Sequence, residues 1–394
     1  MKKLLVILIL IYISACTEDI FQPSETIIQN KYFLSETEAA SIASVLTFNS
    51  NGTKNDKISA VNKTVKSIMI VPDNSGIAAF YIINYKEDGF IIISADKRIQ
   101  PVLAYSEGNN FDVESNKLPS GLIGWLQEAT AKVDEVRSKT NNEDETKAIQ
   151  DLYNICEMQL AISNNSNTGS KCEDSDLGCN DFHNYFGPLI NTQWNQWHGF
   201  NNLLSEMGCD SYQGRPPSGC VATAIGQIMR YYEYPISYQW ASMPLSNQGS
   251  NEISKLLRDI GTAVNMDYAC YGSTAKTEDS PNAFKNTFGY SSASFGYWEN
   301  AIVKEEIKAG RPVILAGYNE KNCFLLWCNY EVGHAWVCEG YRTHYYCELG
   351  IQSTYYYMNW GWGGSYDGYY NYNSWSPGDN NFKYNKRMIF NIKP

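Results

Sequence analysis

Between about residues 138 and 181 the chain passes through a stretch that cannot bury a core, so whatever folds on either side must fold without it. "RSKTNNEDETK" is charged and lacks apolar periodicity; after one short helical candidate, Ala148 to Ala161, "SNNSNTGSKCEDSDLGCND" is polar again. Such segments stay exposed and are where proteases cut. The break divides the 394 residues into two units, each long enough to form its own core. An apolar fraction of 43% fits globular units, and a net charge of −11 without a basic run beyond the first three residues argues against a nucleic-acid partner.

The first residues, "MKKLLVILILIYISAC", join Lys2 and Lys3 to an apolar run from Leu4 to Ile13 and the small residues Ser14 and Ala15. That run is shorter than the ~20 apolar residues of a membrane span, and it reads as an export signal over residues 1–15. "ISAC" resembles the lipobox of bacterial lipoproteins, which implies cleavage before Cys16, lipid attachment to its thiol, and a polar tether over 16–30. The expected location is the bacterial cell envelope, at the outer membrane or cell surface, with membrane contact through the lipid alone.

The first unit, 31–137, alternates helical and strand signals. Ser35 and Glu38 have capping-box spacing, and Ala39, Ile42, Ala43 and Leu46 follow on one helical face. "AAFYIINYKEDGFIIISA" places two strand-like runs around Asp88-Gly89, a hairpin signal, and "LPSGLIGWLQEATAKVDEV" returns to helical period. The second unit, 182–394, is dense in Trp, Tyr and Gly. Helices are expected after Cys220, at 251–264 and at 298–309, with strands at 312–318, 334–341, 353–360 and 366–370. A helix-first, sheet-later order indicates an α+β fold.

Eleven cysteines and four histidines bound the chemistry. Ten cysteines remain after Cys16, in an exported protein where disulfides persist. If Cys220 is kept for chemistry, nine are left and at least one more is unpaired. Cys172 with Cys179 and Cys323 with Cys328 are near in sequence, although spacing alone does not assign bridges. Without Cys-x-x-Cys or His-Glu-x-x-His, no metal or other cofactor is expected.

In "RPPSGCVATAIGQIMRYY", Val221, Ala224, Ile225, Ile228 and Met229 recur at helical spacing, while Pro216, Pro217 and Gly219 keep the preceding chain out of the helix. Cys220 thus stands at a helix N-terminus, where the macrodipole favours thiolate; a small buried core residue is the ordinary alternative. A thiolate needs a base. His183 reads as part of the linker, His198 lies in a polar segment and His344 in an expected turn, whereas His334 opens the strand-like "GHAWVCEGY". In "YYYMNWGWGGSYDGYY", Asn359 can accept the His334 ring N–H and Trp360 can shield that bond from water.

"SGCVATAIGQIM", "RPVILAGYNEKN…GHAWVCEGY" and "MNWGWGGSYDGYY", in this order, resemble the streptopain family of papain-like cysteine peptidases, over essentially all of 186–394. "GFIIISADKRIQPVLAYSEGNNFD" and "LPSGLIGWLQ" resemble its inhibitory propeptide. The resemblance implies a papain-like α+β fold, with a helical subdomain carrying the nucleophile packed on an antiparallel sheet, preceded by a small α+β prodomain. It assigns Cys220 as nucleophile, His334 as general acid and base, Gln196 as oxyanion-hole donor, Asn359 and Trp360 beside the histidine, and Ser273 and Gly333 as contacts to substrate backbone. Protein or peptide substrates and the chain's own prodomain, lying over the groove as inhibitor, are the implied partners. The chain departs from the family pattern in "WNQWHGFN" and in an insertion over 319–332 before His334. The implied product is a lipid-anchored zymogen of a thiol endopeptidase. The alternatives are a noncatalytic surface lipoprotein or protease inhibitor on a degenerate scaffold, and a transglutaminase-like acyl transferase.

Overall fold

The computed structural model describes residues 31–46, 63–115, 118–139, 147, 149–154, 182–210, 213–317, 323–324, 327–328, 334–346, 351–371 and 386–394. The signal, Cys16, the tether, Cys172, Cys179, Gly333 and most of the linker and of the insertion lie outside them.

Helix α1 (Glu36–Val45) starts on a capping box in which Ser35 Oγ accepts the Glu38 N–H and the Glu38 carboxylate accepts the Ser35 N–H. Strands β1 (Val65–Pro72), β2 (Ala78–Tyr85), β3 (Phe90–Ser94) and β4 (Val102–Ser106) form an antiparallel meander. The β2–β3 turn has Asp88 at φ 66° and Gly89 at φ 95°, and a Cβ on Gly89 would sit 2.5 Å from Ser106 O, so glycine is required there. Side chains alternate across this sheet. Phe80, Ile82, Phe90 and Ile92 face helix α2 (Ser120–Ser138), while Tyr81, Ile83, Ile91 and Ile93 face α1 and a helical turn at 149–154. Coverage on both faces explains why β3 is buried along its whole length. It also corrects the reading of that part of the linker as exposed: Ile149, Leu152 and Tyr153 are buried against the sheet.

The second unit contains β5 (Phe182–Phe186), α3 (Cys220–Tyr232), α4 (Asn251–Ala263), β6 (Ser292–Tyr297), α5 (Asn300–Lys308), β7 (Val313–Gly317), β8 (Cys323–Phe324), β9 (Trp327–Cys328), β10 (His334–Tyr346), β11 (Ile351–Asn359), β12 (Gly368–Asn371) and β13 (Arg387–Lys393). Helices α3 and α4 pack together, and α3 lies against β10. Strand order is β1-β2-β3-β4-β12-β11-β10-β7-β13-β6, with β5 also on β10. The β4–β12 pairing, Tyr105 opposite Tyr369 and Ala104 opposite Tyr370, joins the two units into one antiparallel sheet of eleven strands.

Strand β10 runs past the expected end at residue 341. His344 is therefore not in a turn but pairs with Ser353 on β11 and His183 on β5. Polar Arg342 and Thr343 broke the apolar pattern, yet both are buried, Arg342 against Tyr105 and Thr343 beside Thr354. A disulfide joins Cys209 to Cys270 across 61 residues, a pairing not evident from spacing. Cys220 and Cys338 are both buried thiols outside any disulfide. Within the insertion, Cys323 and Cys328 are cross-strand partners in the β8–β9 pair.

Candidate active site

Cys220 opens α3 and is 9% exposed. The residue before it, Gly219, has φ 89°; a Cβ there would lie 2.8 Å from Met266 Sδ and 3.1 Å from Ser273 O, so only glycine admits this approach. The helix start leaves backbone N–H groups without intrahelical acceptors next to the thiol. Gln196 is drawn beside it by its own carbonyl, which accepts the Ser218 N–H at 2.9 Å, two residues ahead of Cys220. The Gln196 side chain is fully buried, and neither amide atom has a hydrogen-bond partner. Ser273 also lies at this turn, where its hydroxyl donates to Pro217 O at 2.6 Å.

His334 opens β10, across the core from α3: Ala335 and Val337 share the apolar cluster that contains Cys220. The ring stacks on Trp336 and Trp360, with centroids 5.9 Å and 6.5 Å away. Nε2 lies 3.0 Å from Trp360 O. A carbonyl only accepts, so Nε2 carries the proton and Nδ1 is the basic nitrogen. Nδ1 is buried and without a partner. Burial pushes the imidazole pKa down to about 4, against a smaller opposing effect of the Trp360 carbonyl.

This geometry corrects the expectation that Asn359 receives the ring N–H. The Asn359 amide is engaged elsewhere: Oδ1 accepts from Gln227 Nε2 at 3.1 Å and Gly361 N at 3.2 Å, and Nδ2 donates to Thr192 O at 2.8 Å and Glu339 Oε1 at 3.3 Å. Gln227 Oε1 in turn accepts from Thr192 Oγ1 at 2.9 Å. The resulting buried network ties α3 to the end of β11. A Cβ on Gly361 would lie 3.2 Å from Thr223 Cγ2, one turn beyond Cys220. The helix bearing the thiol and the turn holding the imidazole are thus locked to each other.

Two carboxyls are buried in this network. Glu339 accepts from Ile190 N and Asn359, and burial, reinforced by Asp367, raises it well above the ordinary carboxylate range. Asp367 accepts the Trp360 N–H at 2.8 Å, and burial raises it to about 8. Sequence reasoning missed Gln227, Glu339, Thr192 and Asp367. Gln227 carried a usable signal, because it stands seven residues after Cys220 and so on the same helical face, an amide in an apolar stripe.

The N-terminal unit reaches the imidazole side. A Cβ on Gly121 of α2 would lie 2.8 Å from Trp336 Cζ3 and 2.9 Å from Trp360 Cζ3. Trp125 Nε1 donates to Asn371 O at 2.8 Å, Asn109 Nδ2 donates to Asp367 O at 2.9 Å, and Lys386 pairs with Glu128 at 2.8 Å. The apolar cluster around Cys220 draws, among the described residues, on none before Leu189. These contacts seat the described part of the N-terminal unit on the sheet that carries His334.

Comparison with known proteins agrees with this layout. Residues 194–237 and 236–370 match the Peptidase C10 family, and residues 31–133 match the Spi protease inhibitor family. The chain is 27% identical over 372 residues to the thiol protease/hemagglutinin PrtT of Porphyromonas gingivalis, covering 80% of this chain but 37% of that protein. It is 25% identical over 373 residues to streptopain of Streptococcus pyogenes, covering 80% of each. In fold it resembles a prointerpain A fragment from Prevotella intermedia, with a TM-score of 0.53 at 23% identity, over 83% of this chain and 99% of that one.

Proposed function

The chain belongs to the Peptidase C10 family of cysteine endopeptidases and carries a Spi-type inhibitor domain ahead of the peptidase, and on that premise we propose that it is a zymogen in which Cys220 and His334 are the reacting pair. His334 Nδ1 takes the Cys220 proton, and the thiolate sulfur attacks the carbonyl carbon of a peptide bond. The oxyanion is held by Gln196 Nε2 and the Cys220 N–H. The imidazolium protonates the leaving amine, the C–N bond breaks, and a thioester remains on Cys220. Water, deprotonated by His334, hydrolyses the thioester and restores the thiol. Trp360 shields the pair, Ser273 and Gly333 border the substrate backbone, and Asn359 holds the turn that presents the Trp360 carbonyl.

The observation that carries this reading is the Gln196 amide: fully buried, clamped beside the Cys220 turn, and lacking a partner. A buried amide without a partner costs about 1–3 kcal/mol, and an oxyanion that accepts from Nε2 offsets the donor's share of it. In the precursor the buried imidazole is neutral, so the ion pair forms once the N-terminal unit, cut within 138–181, releases the tryptophans around His334. Export through residues 1–15 and lipid attachment at Cys16 place the precursor on the envelope, and the cut frees the peptidase from it.

The test is expression of residues 17–394 beside the same chain with Cys220→Ala. Wild type should process itself and hydrolyse casein, with both activities blocked by a thiol-directed inhibitor, while Cys220→Ala stays intact. A wild type inert even after its linker is cut by another protease sinks the reading.

A further inference from the structure

Trp360 is held at three points besides its packing. Its N–H donates to Asp367 Oδ1 at 2.8 Å, its indole Nε1 donates to Tyr366 O at 3.1 Å, and its carbonyl faces His334 Nε2 at 3.0 Å. The loop that returns Asp367 to Trp360 is unusual in two ways. Tyr366 has φ 65°, a left-handed conformation that costs a bulky residue on the order of 1–3 kcal/mol. Asp367 is 4% exposed and has no ion-pair partner among the described residues. A left-handed Tyr366 and a buried carboxyl without an ion-pair partner at one turn are both costly, and the turn that bears them is the one that holds Trp360.

We propose that Asp367 is a positioning residue for the imidazole: by holding the Trp360 amide it fixes the carbonyl that receives His334 Nε2–H, and so aims Nδ1 at the Cys220 thiol. Asn359 secures the other side of the same turn through the Gly361 N–H. With the Trp360 amide released, the carbonyl swings and the ring loses its one hydrogen-bonded anchor. The reacting groups stay present but misaligned, which lowers the chemical step rather than substrate binding. The inference rests on Cys220 and His334 being the reacting pair.

The experiment compares processed wild type, Asp367→Ala and Asp367→Asn on one peptide substrate. Active sites are counted by titration with an irreversible thiol-directed inhibitor, so that misfolded material drops out of kcat. Asp367→Ala should lose about tenfold or more in kcat with KM within about twofold. Asp367→Asn keeps an oxygen that accepts the same N–H and should recover to within about threefold of wild type. A kcat of Asp367→Ala near that of wild type, a loss carried by KM, or an Asp367→Asn as slow as Asp367→Ala overturns the inference while leaving the reacting pair in place. A wild type that hydrolyses nothing overturns the reacting pair, and the inference with it.

Discussion

Replacing Gly121 with valine should loosen the N-terminal unit from the sheet that carries His334. The ideal Cβ at this position lies 2.8 Å and 2.9 Å from Trp336 Cζ3 and Cε3 and 2.9 Å from Trp360 Cζ3. Both indoles are buried and fixed, Trp336 Nε1 on Met358 Sδ and Trp360 Nε1 on Tyr366 O, so neither ring can retreat freely. Overpacking of this kind costs about 1–3 kcal/mol. Alanine would regain about 1 kcal/mol of helix propensity and end near neutral to mildly destabilising. Valine gains less propensity and adds two methyl groups toward the rings, which puts it near the top of the range. At 1.4 kcal/mol per factor of ten, ~3 kcal/mol multiplies the released population by roughly 100-fold. The assay is the thermal midpoint of the Cys220→Ala precursor with and without Gly121→Val, and the first-order rate of self-processing with Cys220 intact. Valine should lower the midpoint and speed processing. An unchanged midpoint together with an unchanged rate would refute the seating of α2 on these two rings.

Gln196→Ala should lower kcat by about 10²–10³ with a smaller effect on KM, the pattern of a lost oxyanion donor; steady-state kinetics on processed enzyme decide it. His334 is depressed to about 4 in the precursor, so the folded state binds its proton less well than the unfolded chain does. Its contribution is complete above its ordinary value of about 6.5 and is lost as pH falls from there toward 4, with a ceiling of about 3 kcal/mol. Asp367, raised to about 8, runs the other way: its contribution is complete below about 4 and is lost as pH rises toward 8. Urea titrations of the Cys220→Ala precursor should show the acid-side loss shrink with His334→Asn and the alkaline-side loss shrink with Asp367→Asn. Replacing Cys209 and Cys270 by serine opens a bridge across 61 residues and should cost about 4 kcal/mol, read as a fall in urea midpoint under non-reducing conditions.

Local signals carried well from sequence to structure. The capping box at Ser35 and Glu38, the Asp88-Gly89 turn and the helix opening at Cys220 each depend on residues within a few positions of one another. Pairing between distant strands left no such trace. β4 is five residues long, and its bond to β12 joins positions more than 260 apart, so the merging of two sheets into one could not be read from either segment. At the site, the reacting residue types and their elements were legible, but the partner of His334 was not. Sequence offers side chains as candidates, and the acceptor is a backbone carbonyl. Asn359 was displaced from that role by Gln227, Thr192 and Glu339, buried polar groups whose mutual need for partners appears only once the core is assembled.

Whether Cys220 and His334 are the reacting pair is decided by peptide mapping of processed protein after reaction with a thiol-directed inhibitor, with and without His334→Ala. A single adduct on Cys220 is expected, with none on buried Cys338 and an adduct rate that falls sharply when His334 is removed. Hydrolysis that persists with Cys220 unlabelled, or labelling of Cys220 at an unchanged rate without His334, would contradict that pairing.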